Sequence, residues 1–174
     1  MKNLKNGLLL ISLLFFALIF TACGKKQDTK DRIYLDSNWQ YSLKGEPYKF
    51  YDLPDNNLDN LSSLIDGKIG YIFIKTKFYL PKNYKHRDIA LYIGRIKIAS
   101  KIYINNHTLG KTGVFPPHEF TEGNKSFAFK IPKEYLHEDG ENTILICLWC
   151  RAYGSISSTP FISDYTDAET VADY

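Results

Sequence analysis

Residues 90–117, ALYIGRIKIASKIYINNHTLGKTGVFPP, decide the fold, because they read as strand, strand, tight turn and a loop punctuated by glycine and proline. Ile89, Leu91 and Ile93 alternate with Ala90 and Tyr92, the period of a strand with a buried face, and Gly94 is expected to end it. In the next alternation Ile102 and Ile104 share one face, with Lys101, Tyr103 and Asn105 on the other. Asn105-Asn106 then offers two residues that tolerate positive φ, as a primed hairpin turn requires, and Leu109 resumes the strand. Gly110 and Gly113 mark positive φ or close backbone approach, while Pro116-Pro117 sets an extended exit without amide donors. The loop that follows Gly110 is either a structural connection or, held on a rigid sandwich, a surface that touches a ligand.

The same grammar repeats on both sides. Tyr71 to Leu80 alternates and stops at Pro81; Ser126 to Ile131 is a strand closed by Pro132; Thr143 to Cys150 is the strongest strand of the chain. Ile33 to Leu35 and Trp39 to Leu43 read as opening strands, with Trp39, Tyr41 and Leu43 on one face and Trp39 expected in the core. Gly45 to Gly70 is a surface excursion in which Leu58, Leu61 and Ile65 recur at helical spacing, and Lys133 to His137 fits one helical turn. Beyond Arg151 one edge strand is expected near Pro160-Phe161-Ile162, and then an acidic tail over residues 164–174. Many short strands between turns, with little helix, argue an all-β sandwich or jelly roll. The 174 residues suffice for one domain with a sizeable core, and 13 Tyr and 11 Phe favour sheet.

The first 22 residues read as a signal peptide. Lys2 and Lys5 form a basic start, Leu8 to Phe20 is apolar, and Thr21-Ala22-Cys23-Gly24 closes the segment with small residues. This run of thirteen residues falls short of the roughly 20 that span a bilayer. This segment resembles a bacterial lipoprotein signal, with Phe20 standing where leucine is usual. The resemblance implies cleavage before Cys23, acylation of its thiol by diacylglycerol, and a chain anchored to a bacterial membrane and facing the periplasm or the surface. Residues 23–32 would then be a polar tether, and residues 33–163 the folded domain. Without Lys2 and Lys5 the chain carries 20 basic against 19 acidic residues, which leaves no electrostatic footprint for nucleic acid.

Cys147 and Cys150 form a C-x-x-C pair, the spacing of a redox dithiol or half a zinc site. On a strand, however, residues three apart point to opposite faces about 10 Å apart, beyond disulfide reach. They are expected to be unpaired, packed thiols, with no metal or cofactor. Paired carboxylates such as Glu119 with Glu122, or Glu138 with Asp139, lie in turn-like segments; no G-x-S-x-G elbow occurs; and His86, His107, His118 and His137 are scattered. No enzyme activity is expected.

The run Tyr71 to Pro81, Leu91-Tyr-Ile-Gly-Arg-Ile, Tyr103-Ile-Asn-Asn, Leu109-Gly110, Gly113, Phe115-Pro-Pro, Phe129-Lys-Ile-Pro and Gly140-Glu-Asn-Thr-Ile resembles the galactose-binding-like jelly roll. It is most similar to the versions that serve as the sugar-binding domain of family 2 glycoside hydrolases, occur in related esterases, or form extracellular modules of bacterial sensors. The resemblance covers Trp39 to about Ile162. It departs in Asn105-Asn106 for Asn-Gly, in Ser126-Phe127-Ala128 where a basic residue is common, and in a thinned glycine segment at Gly154-Ser155. Such a domain implies a non-catalytic binding module for carbohydrate, or a module that holds another envelope protein. Ligands of such jelly rolls sit at the loops between sheets, which nominates Phe115 and His118 on one loop and Trp149, Arg151 and Tyr153 at another. The alternative for the second group is that Trp149 fills core while Arg151 lies along its edge.

Overall fold

The computed structural model describes residues 31–43 and 49–174, whose folded unit runs from Asp31 to Tyr174. The expected signal peptide, the lipidation at Cys23 and the tether as far as residue 30 lie outside the described residues, as do Gly45 and Pro47. Eleven strands follow in chain order: β1 (Ile33–Tyr34), β2 (Gln40–Leu43), β3 (Tyr51–Asp52), β4 (Gly70–Tyr79), β5 (Ile89–Ile96), β6 (Ala99–Ile104), β7 (His107–Thr112), β8 (Ser126–Lys130), β9 (Glu141–Cys150), β10 (Ile156–Ser157) and β11 (Phe161–Asp164). Among the described residues one α-helix, α1 (Tyr165–Ala172), comes last.

The strands form an all-β jelly-roll sandwich of two antiparallel sheets. The six-stranded sheet has the order β3-β2-β4-β9-β6-β7. In the five-stranded sheet β5 is central, with β8 along one edge and β11 and β10 along the other, and β1 pairs with β11. Strands β4 and β9 pair from Gly70↔Cys150 to Tyr79↔Glu141. Their period of two sends Ile72, Ile74, Thr76 and Phe78, with Ile144, Ile146, Leu148 and Cys150, into the core. Ile102 and Ile104 of β6 lie in the same layer, fully buried, and Leu91, Ile93, Ile96 and Ile162 meet them from the other sheet. Each such side chain contributes about 1.5–3 kcal/mol by leaving water. Trp39 is buried as expected, its indole N–H donating to the Leu35 carbonyl at 2.8 Å.

The expected tight turn forms, with Asn105 and Asn106 at φ 46° and 71°. The two strands of the opening stretch nevertheless belong to different sheets, since the chain crosses over between Ile96 and Ala99. Gly94 does not end its strand. At φ 68° it forms a bulge opposite β8, and a side chain there would meet the Ser157 carbonyl at 2.2 Å. The extra residue resets the alternation, so Ile93 and Ile96 both point inward.

Three other expectations are corrected. Phe161–Asp164 is not an edge strand, for it lies between β1 and β5. The acidic tail is helix α1, whose Ala168 and Val171 close over Ala90, Tyr92 and Phe161 on the outer face of the five-stranded sheet. Acidic side chains do not prevent this because Arg32 and Arg87 receive Asp167 and Asp164. Arg32, placed in the tether by its polarity, is therefore part of the domain. In the excursion before Gly70, Leu61–Ile65 and Pro54–Asn56 form 3-10 turns, and β3 adds a short edge strand. Lys133–Tyr135 forms the expected single turn in 3-10 geometry.

Candidate aromatic binding face

The outer positions of β4 and β9 are Tyr71, Phe73 and Lys75 on one strand and Leu145, Cys147 and Trp149 on the other. Register places Tyr71 opposite Trp149 and Phe73 opposite Cys147. Trp149 thus lies outside the core, because the same alternation that buries Leu148 and Cys150 turns position 149 outward. Its ring centre is 4.7 Å from that of Tyr71 at a tilt of 56°, and Phe115 stacks on the other side of the cluster, 6.0 Å from Tyr71 at 12°. All three rings are half-buried. The Trp149 indole N–H is buried without a hydrogen-bond acceptor among the described residues. Such an orphaned donor costs about 1–3 kcal/mol, and unsatisfied groups of this kind mark places worth a functional account.

Backbone bonds hold the loop that carries Phe115. Val114 and Phe120 exchange amide hydrogen bonds of 2.8 and 3.3 Å. Gly113, at φ 62°, donates its N–H to Glu122 at 3.2 Å, and the Ile98 N–H donates to the Thr121 hydroxyl at 3.1 Å. Arg151, just past β9, clamps Glu119 of the same loop through Nε at 2.8 Å and a second nitrogen at 3.3 Å. Its planar fork thus engages a carboxylate of the protein itself and fastens the loop to the end of β9.

Of the five residues nominated from sequence, Phe115, Trp149 and Arg151 meet at this end of the six-stranded sheet. His118 is exposed on the same loop. Tyr153 is 70% exposed and does not stack with the three rings; the Lys97 ammonium lies 5.5 Å from its ring centre.

A family model described as the β-galactosidase second all-β domain matches residues 34–153. The chain belongs to that family. Among solved structures it is similar to the β-glucuronidase of Bacteroides uniformis, at 19% identity and a TM-score of 0.56 over 75% of this chain and 17% of that one. It is also similar to the β-glucuronidase of Ruminococcus gnavus, at 14% identity and a TM-score of 0.58 over 76% of this chain and 29% of that one. At these identities the likeness shows the fold alone, and this chain spans less than a third of either enzyme's length. No curated protein matches it in sequence. Both findings agree with the jelly-roll resemblance seen in the sequence.

In this member of the β-galactosidase second all-β domain family, sequence reasoning passed over Tyr71, the ring that joins the other two. Its signal was present: Tyr71, Phe73 and Lys75 alternate with Ile72 and Ile74, so a second, outward aromatic row was legible in β4. Glu119 was noted as a carboxylate, but not as the partner of Arg151, since pairing across 32 residues needs the fold. Cys147, half-buried beside the rings, has its thiol pushed up to about 11 by burial, with Lys101 opposing the shift; burial raises Cys150 to about 12. Among the described residues no group of three His, Cys, Asp or Glu side chains could hold a metal ion. A recess of about 450 Å³ lies elsewhere, lined by Leu35, Asp36, Asp55, Asp59 and Ser158 among others, and none of the five nominated residues reaches it.

Proposed function

We propose that this domain is a non-catalytic carbohydrate-binding module, carried on a lipoprotein anchored through Cys23 to a bacterial membrane. The observation that carries the reading is the cluster of Tyr71, Phe115 and Trp149, held half-open on the outer face of the sheet by a loop that Arg151 and Glu119 fasten down. Flat rings held in place offer stacking area for the apolar face of a sugar at little entropic cost. The family match supports a carbohydrate-related role, and the basic, apolar and small-residue segments before Gly24 support the anchor.

Calorimetric titration of the protein with a panel of oligosaccharides tests the binding. A ligand should be found, and Phe115→Ala should weaken it by roughly tenfold, the scale of one lost stacking contact, with the melting curve unchanged. A ligand that ignores Phe115→Ala and Trp149→Phe would place the site elsewhere. For the anchor, Cys23→Ala should abolish incorporation of labelled fatty acid and leave an unprocessed precursor.

A further inference from the structure

The register of the six-stranded sheet lays out more on this face than three rings. Beside the Tyr71 and Trp149 row lies a row of Phe73, Cys147, Lys101 and Lys111, and beside that one Lys75, Leu145 and Tyr103. Lys101 and Lys111 are directly opposed across β6 and β7, an arrangement that like charges disfavour. Lys75 sits 3.8 Å from the centre of the Phe50 ring and Lys101 5.2 Å from that of Tyr103. Among the described residues no carboxylate pairs with Lys75, Lys101 or Lys111, whereas Lys77 at the margin is held by Glu141 at 2.7 Å. The one other acid in these rows, Asp52, accepts a bond from Gln40. Around an almost neutral chain, this sheet face therefore gathers unmatched cations interleaved with aromatic rings.

We propose that the outer face of this sheet binds an acidic oligosaccharide, one that carries carboxylate or sulfate groups along its chain. The proposal rests on the carbohydrate reading above and narrows it. Tyr71, Phe115 and Trp149 stack under pyranose rings, while Lys101, Lys111 and Lys75 meet the negative groups. Charge complementarity selects the acidic ligand. A neutral glycan would leave Lys101 and Lys111 opposed with nothing between them, and the exposed ammoniums are free to move toward an anion without breaking an ion pair.

The test compares the whole chain, held in detergent, against two matched pairs of polymers: polygalacturonate with its methyl ester, and dextran sulfate with dextran. At least one acidic polymer should bind about tenfold or more tightly than its neutral partner, and the affinity should fall as salt is raised. Lys101→Gln with Lys111→Gln should lose roughly tenfold of that affinity, as expected for two lost charge-assisted contacts, while keeping the wild-type melting curve. Lys85→Gln, whose parent lysine bonds Asp139, serves as the control and should change nothing. Equal binding of acidic and neutral partners, or acidic binding indifferent to the lysine pair, overturns the proposal and leaves the carbohydrate reading standing. Equal retention on anionic phospholipid vesicles shows plain charge attraction and also overturns it. Binding to none of the four polymers overturns this proposal; if the oligosaccharide panel also yields no ligand, the broader reading falls with it.

Discussion

The Arg32 guanidinium grips the Asp167 carboxylate with two hydrogen bonds of 2.7 Å, joining the first described residues to the last helix. Both side chains are largely shielded, at 13% and 18% exposure, and the same guanidinium lies 4.6 Å from the centre of the Phe161 ring. The bond to Asp167 holds the Arg32 charge even more firmly than usual. Arg32→Ala should therefore cost about 2 kcal/mol, since it removes both hydrogen bonds of a bidentate pair from a largely shielded carboxylate. Arg32→Lys should recover only part of this, because an ammonium cannot reproduce the fork. Urea denaturation measures both, and an unchanged midpoint for Arg32→Ala would show that α1 docks without the pair.

Asn142 should be nearly irreplaceable. Fully buried, it accepts hydrogen bonds from Asn105 at 2.7 Å and the His137 amide at 2.8 Å, and donates to the His137 carbonyl at 3.0 Å. Asn105 in turn accepts the Thr143 amide at 2.8 Å, so one pair of amides ties the β6–β7 turn to the start of β9. Asn142→Ala leaves several of these groups unsatisfied and should cost about 3 kcal/mol. Amide hydrogen exchange at Asn105 and His137 should rise well before the global transition; uniform protection would contradict this.

Gly113→Ala should disturb the aromatic face before it unfolds the domain. A Cβ there would lie 2.2 Å from the Ile98 carbonyl and 2.6 Å from that of Phe120, at a φ of 62° that disfavours a side chain. Neighbours of this kind are backbone and cannot step aside, so a cost of about 2–4 kcal/mol is expected. Tryptophan fluorescence should report it, because Phe115 and Trp149 both pack on Tyr71. An unaltered spectrum together with unaltered stability would refute the crowding at Gly113.

The two thiols should resist alkylation at neutral pH, Cys150 more than Cys147. Burial raises them to about 12 and about 11 against an ordinary value of 9.0, so both stay protonated where an exposed cysteine begins to ionise. Because the folded values are raised, the unfolded chain loses these protons first. The stability they contribute is intact below pH 9 and declines as pH climbs from 9 toward 12. A variant with Cys147→Ser and Cys150→Ala should show a shallower alkaline decline, and fast labelling of native Cys150 at pH 7 would refute the burial argument.

Alternation made β4, β6 and β9 legible, because a strand with one buried face writes its period into the sequence, as Ile72 to Thr76 and Ile144 to Cys150 do. The turn at Asn105-Asn106 was equally plain, since few residues tolerate positive φ. Gly94 misled because a glycine that bends a strand and one that ends it look alike until the neighbouring β8 shows the shifted register. Helix α1 was hidden for a different reason: its Asp167, and Asp164 just before it, are matched by Arg32 and Arg87, far away in the chain, so local composition read as a tail. At the face itself Phe115, Trp149 and Arg151 could be nominated one by one. That Tyr71 lies between two of them, and that Glu119 occupies the third, depends on pairings between distant strands.

Strand β1 finds its partner at the far end of the domain, with Ile33 opposite Ile162 and Tyr34 opposite Phe161. A polypeptide that emerges with its N-terminus first, whether from the ribosome or from a membrane pore, can assemble the β4, β6 and β9 layer as soon as Cys150 is free, but its second sheet stays unsealed until Asp164 has appeared. Until then Leu91 and Ile93 stand exposed on an open strand, the condition in which chains aggregate or are captured by chaperones. Arrival of β11, rather than of the bulk of the domain, ends that exposure.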